Sequence, residues 1–160
     1  QPIGNWNLSK VTQTAGMFSG ATSFNQPIGS WDVSAVTNMK DMFRWTPSFN
    51  QYLGNWNVSS VTNMQEMFKG STTFNQNISK WNVSAATNMT DMFKNSSGLS
   101  SANKGLIHDS FSPNPNWPYD WSEYLQRPNQ VLDLNGTVDL EMIWVEPGTF
   151  TMGSPSSEAG

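Results

Sequence analysis

The chain has 160 residues, 36% of them apolar, no cysteine and a formal net charge of −4. Such a length allows one ordinary domain or a small domain with a piece of another. The absence of cysteine excludes disulfides, thiolate metal sites and cysteine nucleophiles.

Nine Met and eight Trp supply apolar area, and the charge is low, so disorder is not expected. The apolar runs fall far short of the ~20 residues of a membrane-spanning helix, and no signal peptide is recognisable. Residues 1–100 carry six Lys/Arg and four Asp/Glu, too few for a phosphate-binding footprint, so nucleic acid is not an expected partner.

The first hundred residues superimpose on themselves at an offset of 25, giving four units that begin at Gln1, Gln26, Gln51 and Gln76 without insertion or deletion. Shared columns include Trp6/Trp31/Trp56/Trp81, Leu8/Val33/Val58/Val83, Met17/Met42/Met67/Met92 and Phe18/Phe43/Phe68/Phe93. Within a unit, Trp31 and Val33 alternate with Ser30, Asp32 and Ser34, the pattern of a short half-buried strand. Val36, Met39, Met42 and Phe43 then form an apolar stripe at helical spacing.

A single unit offers too few large apolar side chains to bury its own face, whereas stacked units make a continuous core. The predicted fold is therefore an α/β repeat solenoid, a leucine-rich-repeat-like stack of four units with short parallel strands and short helical turns. Asn25, Asn50 and Asn75 are expected to bond buried turn backbone between units.

After Ser100 the period stops. Residues 100–111 read as a helix with Ser100 or Ser101 at the N-cap and Leu106, Ile107 and Phe111 on one face. Residues 100–125 are assigned to a C-terminal cap, in which Trp117, Tyr119 and Trp121 pack on the last unit in preference to stacking on a sugar. Residues 126–130 read as a linker, and residues 131–160 as two strands with a turn at Pro147-Gly148.

Solvent-facing strand positions supply the candidate binding row: Asn5, Asn7, Ser30, Asp32, Asn55, Asn57, Lys80 and Asn82. Trp45 and Tyr52 break their columns and are either specific contacts or local gap fillers. Asn-rich and nearly neutral, the row suits hydrogen bonding to a protein or glycan, with weak affinity per unit. His108-Asp109-Ser110 are consecutive, whereas a triad must converge in space, so no catalytic role is expected. No metal or cofactor site is expected either. One Thr per unit, Thr12/Thr37/Thr62/Thr87, makes a poor lattice for ice.

The string WNVSSVTNMQEMF followed by FNQ resembles a bacterial surface-protein repeat of about 25 residues, found in mycoplasma-type lipoproteins and many marine bacterial proteins. That family is similar to BspA-like leucine-rich repeats. The resemblance covers residues 1–100, though Gln13, Thr14 and Ala15 depart from it in the first unit. It implies a cell-surface or secreted (extracellular) module for adhesion or protein interaction; separately, the chain is expected to be non-catalytic and monomeric. A second string, MIWVEPGTFTMGSPSSE, resembles the opening of a formylglycine-generating enzyme (sulfatase-modifying factor) domain, whose catalytic cysteines would lie further on. This resemblance implies the alternative of a targeting front end for a larger enzyme-like protein. A structural spacer is the third reading.

Overall fold

A computed structural model describes residues 2–125. They lie within one compact unit, Gln1–Leu125. The linker at 126–130 and the segment 131–160 fall outside the described residues.

The described residues hold one α-helix, α1 (Ser101–Phe111), and one 3-10 turn, Ser122–Tyr124. The repeats contain neither strand nor helix. Their only β pairing among the described residues is three isolated parallel bridges, Gln13–Asn38, Asn38–Asn63 and Asn63–Asn88. The expected α/β repeat solenoid is thus overturned: there is no sheet, and no helical turn lies under the Met–Phe stripe.

Backbone conformation explains the difference. Each unit holds two left-handed positions four residues apart, Gly16/Asp41/Glu66/Asp91 at φ 65, 57, 54 and 55° and Gly20/Trp45/Gly70/Asn95 at φ 74, 54, 72 and 62°. A left-handed residue cannot continue a right-handed helix. Instead, N–H groups alternate between two destinations. Met42 and Arg44 close turns onto Met39 O and Asp41 O at 3.2 and 3.1 Å. Met39, Asp41, Phe43 and Trp45 donate to Asn63 O, Gln65 O, Met67 O and Lys69 O of the next unit at 2.8, 2.9, 2.9 and 2.7 Å. The alternation around Trp31 is likewise one of turns: Trp31 N bonds Ile28 O, and Val36 N bonds Val33 O.

The columns nevertheless pack as their composition demands. Trp31, Trp56, Trp81, Phe43, Phe68, Phe49, Phe74 and the Met39/Met64/Met89 and Met42/Met67/Met92 columns are buried. Trp6, Trp31, Trp56 and Trp81 stack with centroids 6.0, 6.5 and 6.3 Å apart and planes within 6°. Each later indole N–H is satisfied by the preceding unit, at Ile3 O, Ile28 O and Leu53 O, as a buried polar handle requires. Buried Thr46, Ser71 and Ser96 hydroxyls bond Phe43 O or Phe68 O.

The Asn column does link the units, on the exposed side of the chain rather than at buried turns. Oδ1 of Asn25, Asn50 and Asn75 accepts from the N–H of Asn50, Asn75 and Ser100 at 3.0, 2.9 and 3.0 Å. Gln51 and Gln76 Nε2 donate to the same oxygens, and Asn103 of α1 takes their place on Asn75 at 2.8 Å. Ser100 meanwhile caps α1 by accepting from Asn103 N. The helix therefore starts where expected. Ile107 and Phe111 are buried, but Leu106, placed on the same face by its spacing, is exposed.

Residues beyond α1 pack on the last unit. Trp117 and Trp121 lie 6.3 and 5.6 Å from the Phe93 ring. Tyr119 Oη accepts from Phe93 N at 2.7 Å, and buried Asn114 donates to Val83 O and Ala86 O at 2.7 and 2.9 Å.

Candidate binding surface

All eight residues of the predicted row are exposed, but on turns, so the expected sheet face does not exist. The turns explain the recurring residue types. Asn7, Asp32, Asn57 and Asn82 each accept through Oδ1 from the N–H of the Ser two positions on, at 3.0, 3.1, 3.2 and 3.1 Å. This is an Asx-turn, the local bond that favours Asn and Asp at such sites. In the first three units the Ser hydroxyl adds a second bond to the same oxygen, at 2.7, 2.6 and 2.8 Å. Those two bonds from Ser34, hydroxyl first and then N–H, hold the Asp32 carboxyl below its ordinary 3.8.

The other four positions are less committed. Ser30 donates to Gly4 O, and Asn55 lies 3.3 Å from the Tyr52 hydroxyl. Asn5 and Lys80 side chains make no hydrogen bond among the described residues. Trp45 is exposed and left-handed, and its ring lies where a Cβ on Gly70 would be only 2.2 Å away. Tyr52 is also exposed, its ring over Gly54.

The remaining motifs are absorbed by packing. His108 is buried, its Nδ1 accepting from Trp117 Nε1 at 3.2 Å, while Ser110 bonds Ser79 O at 2.6 Å. The two side chains thus engage different partners and form no nucleophile–base pair. Thr37, Thr62 and Thr87 hydroxyls donate to the carbonyl of the preceding Thr.

Sequence reasoning missed a line of charge across three units. Arg44 Nε lies 3.0 Å from Glu66, Lys69 3.0 Å from Glu66 and 3.6 Å from Asp91, and Lys94 3.0 Å from Asp91. The signal was an acid followed three residues later by a base in units two to four. The hydrogen bond from Lys94 is the leading cause that lowers the Asp91 pKa. Asp41 stands at the open end, its Oδ1 buried without a partner among the described residues: Arg44 of its own unit turns to Glu66, and the first unit has Ser19 where later units have a cation. Replacing Ser19 with Lys should extend the line onto Asp41. Urea denaturation should then show a gain of about 0.2–1 kcal/mol at low salt, shrinking as salt rises. A gain of equal size in an Asp41→Asn background would rule the pairing out.

Tyr119 carries a second electrostatic consequence. Burial is the largest cause pushing its phenol up to about 12, against the hydrogen bond from Phe93 N. A folded-state pKa above the ordinary 10.0 means stability is complete below pH 10 and is lost as pH rises from there through about 12. The urea midpoint should therefore fall between pH 9 and pH 11.5, and Tyr119→Phe should fall less over that interval.

A shallow cleft of about 310 Å³ separates the Asx-turn of the fourth unit from residues 113–115, lined by Trp81, Asn82, Ser84, Pro113 and Pro115 among others. Only Asn82 of the predicted row reaches it.

No curated protein and no solved structure matches the chain. The resemblance of residues 131–160 to a formylglycine-generating enzyme domain finds no support in these comparisons. A family model described as Mycoplasma protein of unknown function, DUF285, matches residues 1–105. That span takes in all four units, the turn columns that stack them and the first residues of α1, so the chain belongs to this family of repeat proteins.

Proposed function

We propose that the chain is a non-catalytic surface module that contacts a protein or glycan through its row of exposed turns. The observation that carries this reading is the row itself. Asn5, Asn7, Ser30, Asp32, Asn55, Asn57, Lys80 and Asn82 are exposed, two in each of four units, on a framework that holds each at the same place in its unit. Family membership is compatible with a surface location. Identical turns repeated along a stack favour weak contacts summed by multivalency over one tight pocket. The row carries no aromatic anchor of the kind that dominates high-affinity interfaces.

The test is binding of the purified chain to a panel of glycans and extracellular-matrix proteins, alongside an Asn5→Ala/Asn55→Ala/Lys80→Ala variant. Those substitutions spare the four Asx-turns. Binding that falls at least tenfold in the folded variant supports the reading, and binding unaffected by it sinks the row as the contact surface. The spacer alternative predicts no binding by either protein. The front-end alternative rests on the resemblance of residues 131–160 alone.

A further inference from the structure

We infer that the cleft between the fourth unit and residues 113–115 is a binding subsite for a single neutral, hydroxyl-bearing ring, a sugar residue. This deepens the surface-module reading and rests on it for its biological setting. The first observation is a break in an otherwise regular pattern. Ser9, Ser34 and Ser59 turn their hydroxyls onto the Asx oxygen of their own turn. Ser84 occupies the same place in the fourth unit and keeps only the backbone bond to Asn82 Oδ1. Its hydroxyl makes no bond among the described residues, and Ser84 is the one of the four that lines the cleft.

The second observation is the chemistry of the walls. Asn82 lines the cleft, and while its Oδ1 is engaged in the turn its amide N–H groups make no bond among the described residues. Pro113 and Pro115 supply apolar faces, and no charged residue lines the cleft. A donor amide, a hydroxyl that can donate or accept, and two compact apolar rings suit a ligand that is polar at its rim and apolar on its faces. An ion would find no countercharge. Other polar groups nearby are already spent: Ser110 bonds Ser79 O, and Asn114 Nδ2 bonds Val83 O and Ala86 O.

At about 310 Å³ the cleft sits at the small end of ligand sites, room for one ring and not for an oligosaccharide. Trp81 lines it but is buried, so no indole face is open for stacking. Affinity should accordingly be roughly millimolar, as for few contacts in an open site.

The experiment is an NMR titration of the full chain with methyl glycosides of N-acetylglucosamine, galactose and mannose. Saturable shifts confined to Asn82, Ser84 and residues 113–115 for at least one sugar are expected. Ser84→Ala removes no hydrogen bond of the fold, so it should keep its melting temperature and weaken that sugar at least fivefold. Ser59→Ala, away from the cleft, should leave sugar binding unchanged. The inference is overturned if none of the three sugars shifts these residues, or if Ser84→Ala binds as tightly as the parent. It is also overturned if a glycan found on the surface panel still binds fully to Ser84→Ala, an outcome that leaves the surface-module reading standing. Sugar binding at the cleft with a negative panel supports the subsite and removes adhesion as its use.

Discussion

Phe68→Ala is expected to cost about 3–5 kcal/mol of unfolding free energy, the range for emptying a fully buried aromatic site. Phe68 has no exposed surface, and its ring stacks against Phe43 and Phe93 at 5.5 Å each and against Phe74 at 4.1 Å. It also lies 6.3 Å from Trp81. The substitution therefore removes contacts within its own unit and to both neighbours at once. In a stack whose stability is a sum of unit and interface terms, such a loss also uncouples the units. Urea denaturation followed by circular dichroism should show a lower midpoint and a broader transition. Phe18→Ala, in the half-buried first unit, should cost clearly less. Equal losses at the two positions would mean that the ring columns do not hold the units together.

The second large effect is expected at Asn114. Its side chain is buried, with Nδ2 donating to Val83 O and Ala86 O and Oδ1 accepting from Asn116 N at 2.8 Å. Ala cannot replace any of these, and the carbonyls keep only their remaining partners: Ala86 N on Val83 O, and Asn116 Nδ2 on Ala86 O. A cost of about 1–3 kcal/mol follows from the loss of these buried hydrogen bonds. The loss should be local. Hydrogen exchange should speed up in α1 and in residues 112–125, while the amides that link units two and three keep their protection. Faster exchange throughout the stack would show that residues 112–125 support every unit and not the last alone.

Much of this arrangement was legible in the residues. The 25-residue period, the Trp, Met and Phe columns and their burial follow from composition, because aromatic and thioether side chains at equal positions can only be hidden by one another. The start of α1 was equally legible, since Ser100 has the side chain an N-cap needs. The Asn column was read correctly as a link between units.

The path of the chain between those columns was misread for a definite reason. Val36, Met39, Met42 and Phe43 have helical spacing, yet Asp41 and Trp45 are left-handed and send alternate N–H groups to the next unit. Gly16, Gly20 and Gly70 marked the same columns, but Trp45 and Glu66, rare in that conformation, masked the signal. The proposed row is legible as exposed residues but falls on another element than a strand, because the turns of this chain also expose alternate residues.

The sequence by itself determined that the Trp, Met and Phe columns of the later units are buried and that units stack in register, since both depend on residue type and period. Only the tertiary structure decided the turns, the charge line from Arg44 to Lys94 and the cleft at Ser84. Each of these depends on where a hydrogen-bonding group finds its partner, and those partners lie in another turn, another unit or the residues that cover the last one.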